Sequence, residues 1–348
     1  MKAREAARLR PVPLAVTALV LAAALLAALL IGPAGLPAGG VVKALADRLP
    51  FVHVDSGLAP VDRNVLFELR LPRVLLGAVV GGLLAVAGAA YQGVFRNPLA
   101  DPYLLGAAAG AGVGATLVIV VMSDRPTFAV PLAAFAGAVA GVALAYGLGS
   151  TARRGGGSGT ATLVLAGVAV SSFLASVQAF LQQAKAEELQ RIYSWILGGL
   201  TLADWPTLAM IAPYAAVAVA TLLLHGRLLD VLSVGDEEAA ALGLSASRVR
   251  LTVLAAASLA TACAVAVSGL IGFVGVVVPH VVRRLAGGSY RIVLPLSLLG
   301  GAAFLTVADL VGRTVVAPGE LPLGVVTAFV GGPFFVAVLR AVRGEVDT

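Results

Sequence analysis

Charge is scarce in this chain. Asp, Glu, Lys and Arg make up 12 % of its 348 residues and hydrophobic residues 59 %, whereas a soluble domain is about a quarter charged. So few charges cannot coat a water-soluble protein of this size, so most of the chain lies in lipid. Cysteine is almost absent. The single Cys263 sits inside an apolar run, which excludes a disulfide framework and a thiolate metal cluster. Lysine is nearly as rare, at Lys2, Lys43 and Lys185, and none follows a glycine. No G-x-x-x-x-G-K-[ST] phosphate loop exists, so the chain does not hydrolyse ATP by that route. His53, His225 and His280 are scattered and form no H-E-x-x-H, and no cofactor is expected. Strand-type alternation is missing as well, which argues against a β-barrel. The formal charge of +6 does not point to nucleic acid. The basic residues stand at the ends of apolar runs, where membrane orientation explains them.

What remains is a series of apolar runs: 12–31, 72–94, 101–122, 128–149, 161–182, 206–224, 251–282, 292–311 and 323–339. A span needs about 20 residues. The first run is longer than a signal-peptide core and follows Lys2, Arg4, Arg8 and Arg10, so it reads as a transmembrane helix anchored inside. The run 251–282 is too long for one helix. Arg248 and Arg250 precede it, and Arg283 and Arg284 follow it. Basic flanks on one side require an even number of crossings. The turn is then expected at "SGLIGFVG", Ser268 to Gly275. These readings give an all-α integral membrane protein of about ten helices, one domain over residues 1–348, with both ends cytoplasmic. Fifteen of the 24 basic residues then lie on the cytoplasmic side. "RRGGGSG", Arg153 to Gly159, reads as a flexible inner loop.

Four stretches carry more than hydrophobicity. "FRNPLADPYLLG", Phe95 to Gly106, joins the second and third spans. Pro98 and Pro102 stop the helix, Asn97 is placed to cap the broken end, and the loop reads as a tight turn or a constriction. The fifth span has two polar stripes at helical spacing. One is Ser171, Gln178 and Gln182, the other Ser172, Ser176 and Gln183. Polar groups in lipid must face protein or water. The first stripe, Ser171, Gln178 and Gln182, is expected to line a route. At the outer end, Arg70, Arg73 and Arg313 either snorkel to headgroups or receive carboxylates of an external partner. Asp309, the lone acid within an apolar run, stands four residues before Arg313 and suggests a local pair. Finally, "SVGDEEAAALGLSASRVR" runs from Ser233 to Arg250. Ser233 and Asp236 fit a capping-box start, three acids fill a first turn, and Gly243 is placed to end the helix.

Together these stretches resemble the permease subunit of type II ATP-binding-cassette (ABC) importers, the FecCD family, which moves vitamin B12, haem and iron–siderophore complexes. "LRLPRVLLG", "QGVFRNPLADPYLLGAAAGAGVGA", "GDEEAAALGL", "GLIGFVGVVVPHVVRR" and "ELPLGVVTAFVGGPFF" carry the resemblance. It implies ten helices per subunit, a dimer with a second copy or a paralogue, two ATPase subunits inside, a binding protein outside, and a place in the cell membrane. By similarity, Asp236, Glu237, Glu238, Ala239, Ala240, Ala241, Leu242 and Gly243 form the ATPase-coupling part of a segment spanning about 230–248. Arg70, Arg73 and Arg313 match arginines that meet the binding protein. Asn97, Leu99 and Thr160 match the cytoplasmic gate. The alternative is a secondary transporter driven by an ion gradient, disfavoured by the shortage of intramembrane carboxylates.

Overall fold

A computed structural model describes residues 11–122, 126–153 and 159–346. The basic residues at positions 2–10 and most of "RRGGGSG" lie outside the described residues. Among the described residues there is no strand, and ten α-helices have thirteen or more residues. They are α1 (Pro11–Leu30), α2 (Leu71–Phe95), α3 (Ala107–Val121), α4 (Ala129–Arg153), α5 (Gly159–Ala184), α6 (Trp205–Leu224), α7 (Ala246–Ser268), α8 (Val274–Ala286), α9 (Tyr290–Gly312) and α10 (Leu323–Val346). Seven are long and apolar enough to cross a membrane, and α3 and α10 are shorter apolar helices. With α8 they make up the expected ten.

Helix α2 is the axis of the bundle. A turn at Pro60–Asn64 and a π-helical turn at Val65–Arg70 extend it to a continuous 36 residues, or about 54 Å, so one end must project beyond the hydrocarbon. In the most apolar window of α2, 83 % of residues are buried, and in that of α7 78 %, against 17 % in α1 and in α5. The outer helices α1 and α5 therefore keep most of their surface outside the bundle.

Small residues set the closest crossings. Gly81 on α2 and Gly301 on α9 face each other so tightly that a Cβ on either would come within 2.3 Å of the other's carbonyl oxygen. Gly106, Gly110 and Gly114, spaced by four, meet Gly141, Gly137 and Ala133 along the α3–α4 crossing. This is small-residue packing of the kind that draws helices together in lipid.

The chain breaks at Gly269–Phe273, within the stretch where the turn was expected. However, α8 has only 13 residues and rises about 20 Å, less than the hydrocarbon thickness of about 30 Å. The expected pair of full crossings is therefore one full helix and a half-helix. Non-helical backbone at membrane depth must find partners in the protein. Here the Tyr103 hydroxyl donates to Ile271 O (3.0 Å) and accepts from Ile271 N–H (3.1 Å). The Gly199 N–H bonds Ser268 O at 2.8 Å and the Gln92 amide bonds Gly275 O at 3.0 Å. Replacing Tyr103 with Phe orphans both groups of Ile271 and is expected to cost about 1–3 kcal/mol. A lowered melting temperature in detergent checks this, and an unchanged one contradicts it.

Candidate docking and gating sites at the two ends of the bundle

The segment expected to couple to an ATPase leaves α6 through a helix at Gly226–Val234, passes Gly235, and forms the short helix Asp236–Ala241. The expected capping box does not form. Ser233 is still inside the preceding helix and donates to Asp230 O, and Gly235 is the N-cap. The other end matches expectation. Gly243 takes the left-handed conformation (φ 75), Leu244 N–H bonds Ala239 O and Gly243 N–H bonds Ala240 O, both at 2.9 Å. That is a Schellman stop, which turns the chain into α7.

The three acids divide. Asp236 turns inward to the Arg96 guanidinium at the end of α2 and to Arg250 on α7, whose Nη1 donates to Oδ2 at 2.8 Å. The Arg250 hydrogen bonds, then those of Arg96, hold the Asp236 carboxyl below the ordinary aspartate value of 3.8. A depressed folded value means that this stabilisation is complete above 3.8 and fades as pH falls through the lowered value. Glu237 and Glu238 stay exposed, as do Ala240, Ala241, Leu242 and Gly243, while Ala239 is buried. Asp230 anchors the segment at a third place, accepting from Tyr290 N–H (2.6 Å) and the Ser289 hydroxyl (2.7 Å) at the start of α9. Arg96 and Asp230 are not singled out by the sequence, and Arg250 reads there only as a basic flank. Arg96 and Asp230 lie 140 and 60 residues from their partners, and Arg250 is 14 residues from Asp236 across a turn, so no helical spacing signals these pairs.

Beside this segment lies the turn after α2. Its left-handed residue is Arg96 (φ 50), and the Asn97 side chain does not cap the helix. Asn97 Oδ1 instead accepts from Leu99 N–H at 2.9 Å, an Asx turn that presents Asn97 and Leu99 to solvent. Thr160 falls in the first turn of α5.

At the opposite end the three arginines are already engaged. Arg70 donates to Leu29 O (2.8 Å) and Ala34 O (2.6 Å), and Arg313 to Ala28 O. Two arginines thus satisfy last-turn carbonyls of α1, which have no partner within their own helix. Arg73 bonds Asp309 (2.9 and 3.0 Å) and Glu320 (2.8 and 2.9 Å). Arg313 Nε also faces Asp309 Oδ2 at 3.4 Å, which is the pair that the four-residue spacing suggests. Hydrogen bonds from Arg73 hold the Glu320 carboxyl below its ordinary value. The three arginines, expected to face headgroups or a partner, divide. Arg70 and Arg313 are 5 % and 3 % exposed and serve the bundle's own helix ends. Only Arg73, with Glu320, borders open space.

That space is a cavity of about 740 Å³ beside Arg73 and Glu320, lined also by Arg191, Trp195, Gly198 and Gly269. A second of about 620 Å³ is lined by Leu197, Leu270, Phe273, Val325 and Phe329. Neighbouring residues line both, so the two adjoin at the α7–α8 break.

The stripe on α5 expected to line a route lies against a neighbouring helix. Ser171, Gln178 and Gln182 border neither cavity. Gln178 donates to Thr116 of α3 at 3.2 Å and packs over Gly112 of the same helix. Gln182, expected to line the route, is half-buried one turn beyond Gln178 on that face, and Ser171 is half-buried as well. The physical reason is that α3 lies against α5, so the face that carries Gln178 and Gln182 is turned to a neighbouring helix rather than to open space. Ser172, Ser176 and Gln183 occupy the open face, beside the exposed Phe173 and Phe180.

Comparison with known proteins agrees with this architecture. The model of the FecCD transport family matches residues 19–341. The cobalamin import system permease protein BtuC of Halobacterium salinarum is 40 % identical over 306 residues, covering 88 % of this chain and 80 % of that one. The hemin transport system permease protein HmuU of Yersinia pestis is 39 % identical over 283 residues, covering 81 % and 85 %. A solved structure of a metal-chelate type ABC transporter, in an inward-facing conformation, superposes with a TM-score of 0.82 at 28 % identity, covering 95 % of this chain and 100 % of the other. From Leu19 to Ala341, this chain belongs to the FecCD transport family.

Proposed function

We propose that this permease is the membrane pathway of an ABC importer for an iron chelate, haem or cobalamin, and that it works as a dimer with two ATPases and an external binding protein. The observation that carries this reading is the division of the acids in the coupling segment. One acid fastens the segment to the bundle. Glu237 and Glu238 are exposed beside the exposed Leu242, with the Glu238 carboxylate folded back toward Gly235, on the same end as the Asn97–Leu99 turn. A charged and apolar patch on a well-anchored short helix suits a partner that supplies the ATP chemistry this chain has no motif for. That end is assigned to the cytoplasm and the Arg73–Glu320 end to the binding protein. The gate is assigned to Asn97, Leu99 and Thr160, and the route to the two adjoining cavities and the open face of α5.

The ion-gradient alternative gains no support. Asp309, the acid within an apolar run, is neutralised by Arg73 and Arg313, which leaves it unsuited to carry a proton or cation. Uptake of labelled ferric siderophore, haem and cobalamin into proteoliposomes tests the reading. Transport of one of them should require ATPase, ATP and binding protein. Uptake that persists without ATPase and collapses with an uncoupler overturns it. Replacing Glu237 and Glu238 with Lys should leave insertion intact and weaken co-purification of the ATPase by about tenfold or more. Unchanged co-purification removes these two charges from the docking surface.

A further inference from the structure

Arg96 occupies an unusual place. It directly follows the last residue of α2, adopts a left-handed backbone (φ 50), and stands immediately before Asn97. Its guanidinium reaches across the joint between two helices of the coupling segment. Nε donates to Leu232 O at 2.7 Å, before Gly235, and Nη2 donates to the Asp236 carboxylate, after it. A planar guanidinium can hold two acceptors in fixed directions at once, and a lysine ammonium, as a point charge on a flexible stem, cannot do so equally. On the other side of Arg96 nothing but the peptide bond separates it from the turn that Asn97 Oδ1 closes on Leu99 N–H. The described residues show no comparable side-chain link from the helix Asp236–Ala241 to that turn. Arg250, the other partner of Asp236, fastens the helix to α7 instead.

We propose that Arg96 is a positioning residue that joins the helix Asp236–Ala241 to the Asn97–Leu99 turn, so that movement of the helix by a docked ATPase is delivered to the turn. The proposal rests on the importer reading above and deepens it. Arg96 touches neither cargo nor nucleotide. Its role is to make one moving part of two elements that are 140 residues apart in sequence.

The test needs no knowledge of the cargo. With Cys263 replaced by Ala, Leu99→Cys is the only thiol in the chain. Its rate of reaction with a membrane-impermeant maleimide is measured in the reconstituted permease–ATPase complex, with and without ATP plus vanadate. In the parent, nucleotide should change that rate. In Arg96→Ala and Arg96→Lys the nucleotide-dependent change should shrink about fivefold or more, the lower range of typical coupling between sites. ATPase co-purification and hydrolysis should persist. A purely structural role would lower hydrolysis and melting temperature along with the response. If Arg96→Ala does not fold, Arg96→Lys, which keeps the charge, decides alone. A nucleotide response in Arg96→Lys equal to the parent's overturns the proposal, and so does a parent that binds ATPase but shows no response. A parent that binds no ATPase overturns the importer reading, and this proposal with it.

Discussion

Replacing Gly301 with Leu is expected to prevent α2 and α9 from docking and to leave little monodisperse protein. A Cβ there would meet Gly81 O at 2.3 Å and the Ala85 Cβ at 2.4 Å. Neither neighbour is the loose end of a side chain, so the helices themselves must part. Overpacking usually costs about 1–3 kcal/mol, and here it falls on the most buried helix of the bundle. The milder Gly301→Ala should already lower the melting temperature. Gly332→Ala is the control, because it lies in α10 with nothing within 4 Å of the added Cβ. It should be neutral or stabilise by up to about 1 kcal/mol through helix propensity. If both alanine variants move stability alike, close approach is not what the glycine at 301 provides.

Asp309→Ala should destabilise by about 3–5 kcal/mol, the usual cost of removing one partner from a buried ion pair. Asp309 is 2 % exposed and stands between Arg73 and Arg313. Arg73 would keep Glu320, but Arg313, itself buried, would lose the one carboxylate within ion-pair distance of it among the described residues. Adding Arg313→Leu to Asp309→Ala should recover part of the loss, since the stranded charge goes with it. Recovery is expected to be incomplete, because the leucine leaves Ala28 O on α1 without its donor. Unfolding followed by tryptophan fluorescence reads both variants. A double variant no more stable than Asp309→Ala would show that stranded charge is not the source of the cost.

Much of the fold is legible in the sequence because lipid imposes a simple rule: a helix must be apolar for about 20 residues. The run 206–224 corresponds to α6 (Trp205–Leu224), and 292–311 to α9 (Tyr290–Gly312). The glycines of "SGLIGFVG" locate the break after α7. The length of the second limb is not legible, since the apolar run continues to Val282 while the helix after the break has only 13 residues. The four-residue spacing of Gly106, Gly110 and Gly114 is readable as a packing face, but its partner on α4 is not. The site divides in the same way. Asp236 to Gly243 reads as a capped helix, and the Asp309–Arg313 pair follows from spacing of four. That Arg70 points at the end of α1 depends on a contact 41 residues away in sequence, and residue type alone suggested an outward cation. The two stripes on α5 are equally polar, and only the position of α3 distinguishes the packed one, with Gln178 and Gln182, from the open one.

The glycine seams have a mechanical consequence. Helices α2 and α9 are fused along Gly81–Gly301, and α3 and α4 along Gly110–Gly137, with α5 carried on the second pair by Gly167 against Leu104. These crossings are stiff, because backbone meets backbone. The boundary between the two groups runs along α4 and α7, where side chains rather than backbones meet and a groove of about 320 Å³ opens among Val139, Val142, Tyr146, Leu254 and Leu259. A bundle assembled this way does not bend uniformly under load. Strain concentrates in its softest plane, so α3–α5 should tilt as one block over α7 and leave each block's interior undeformed.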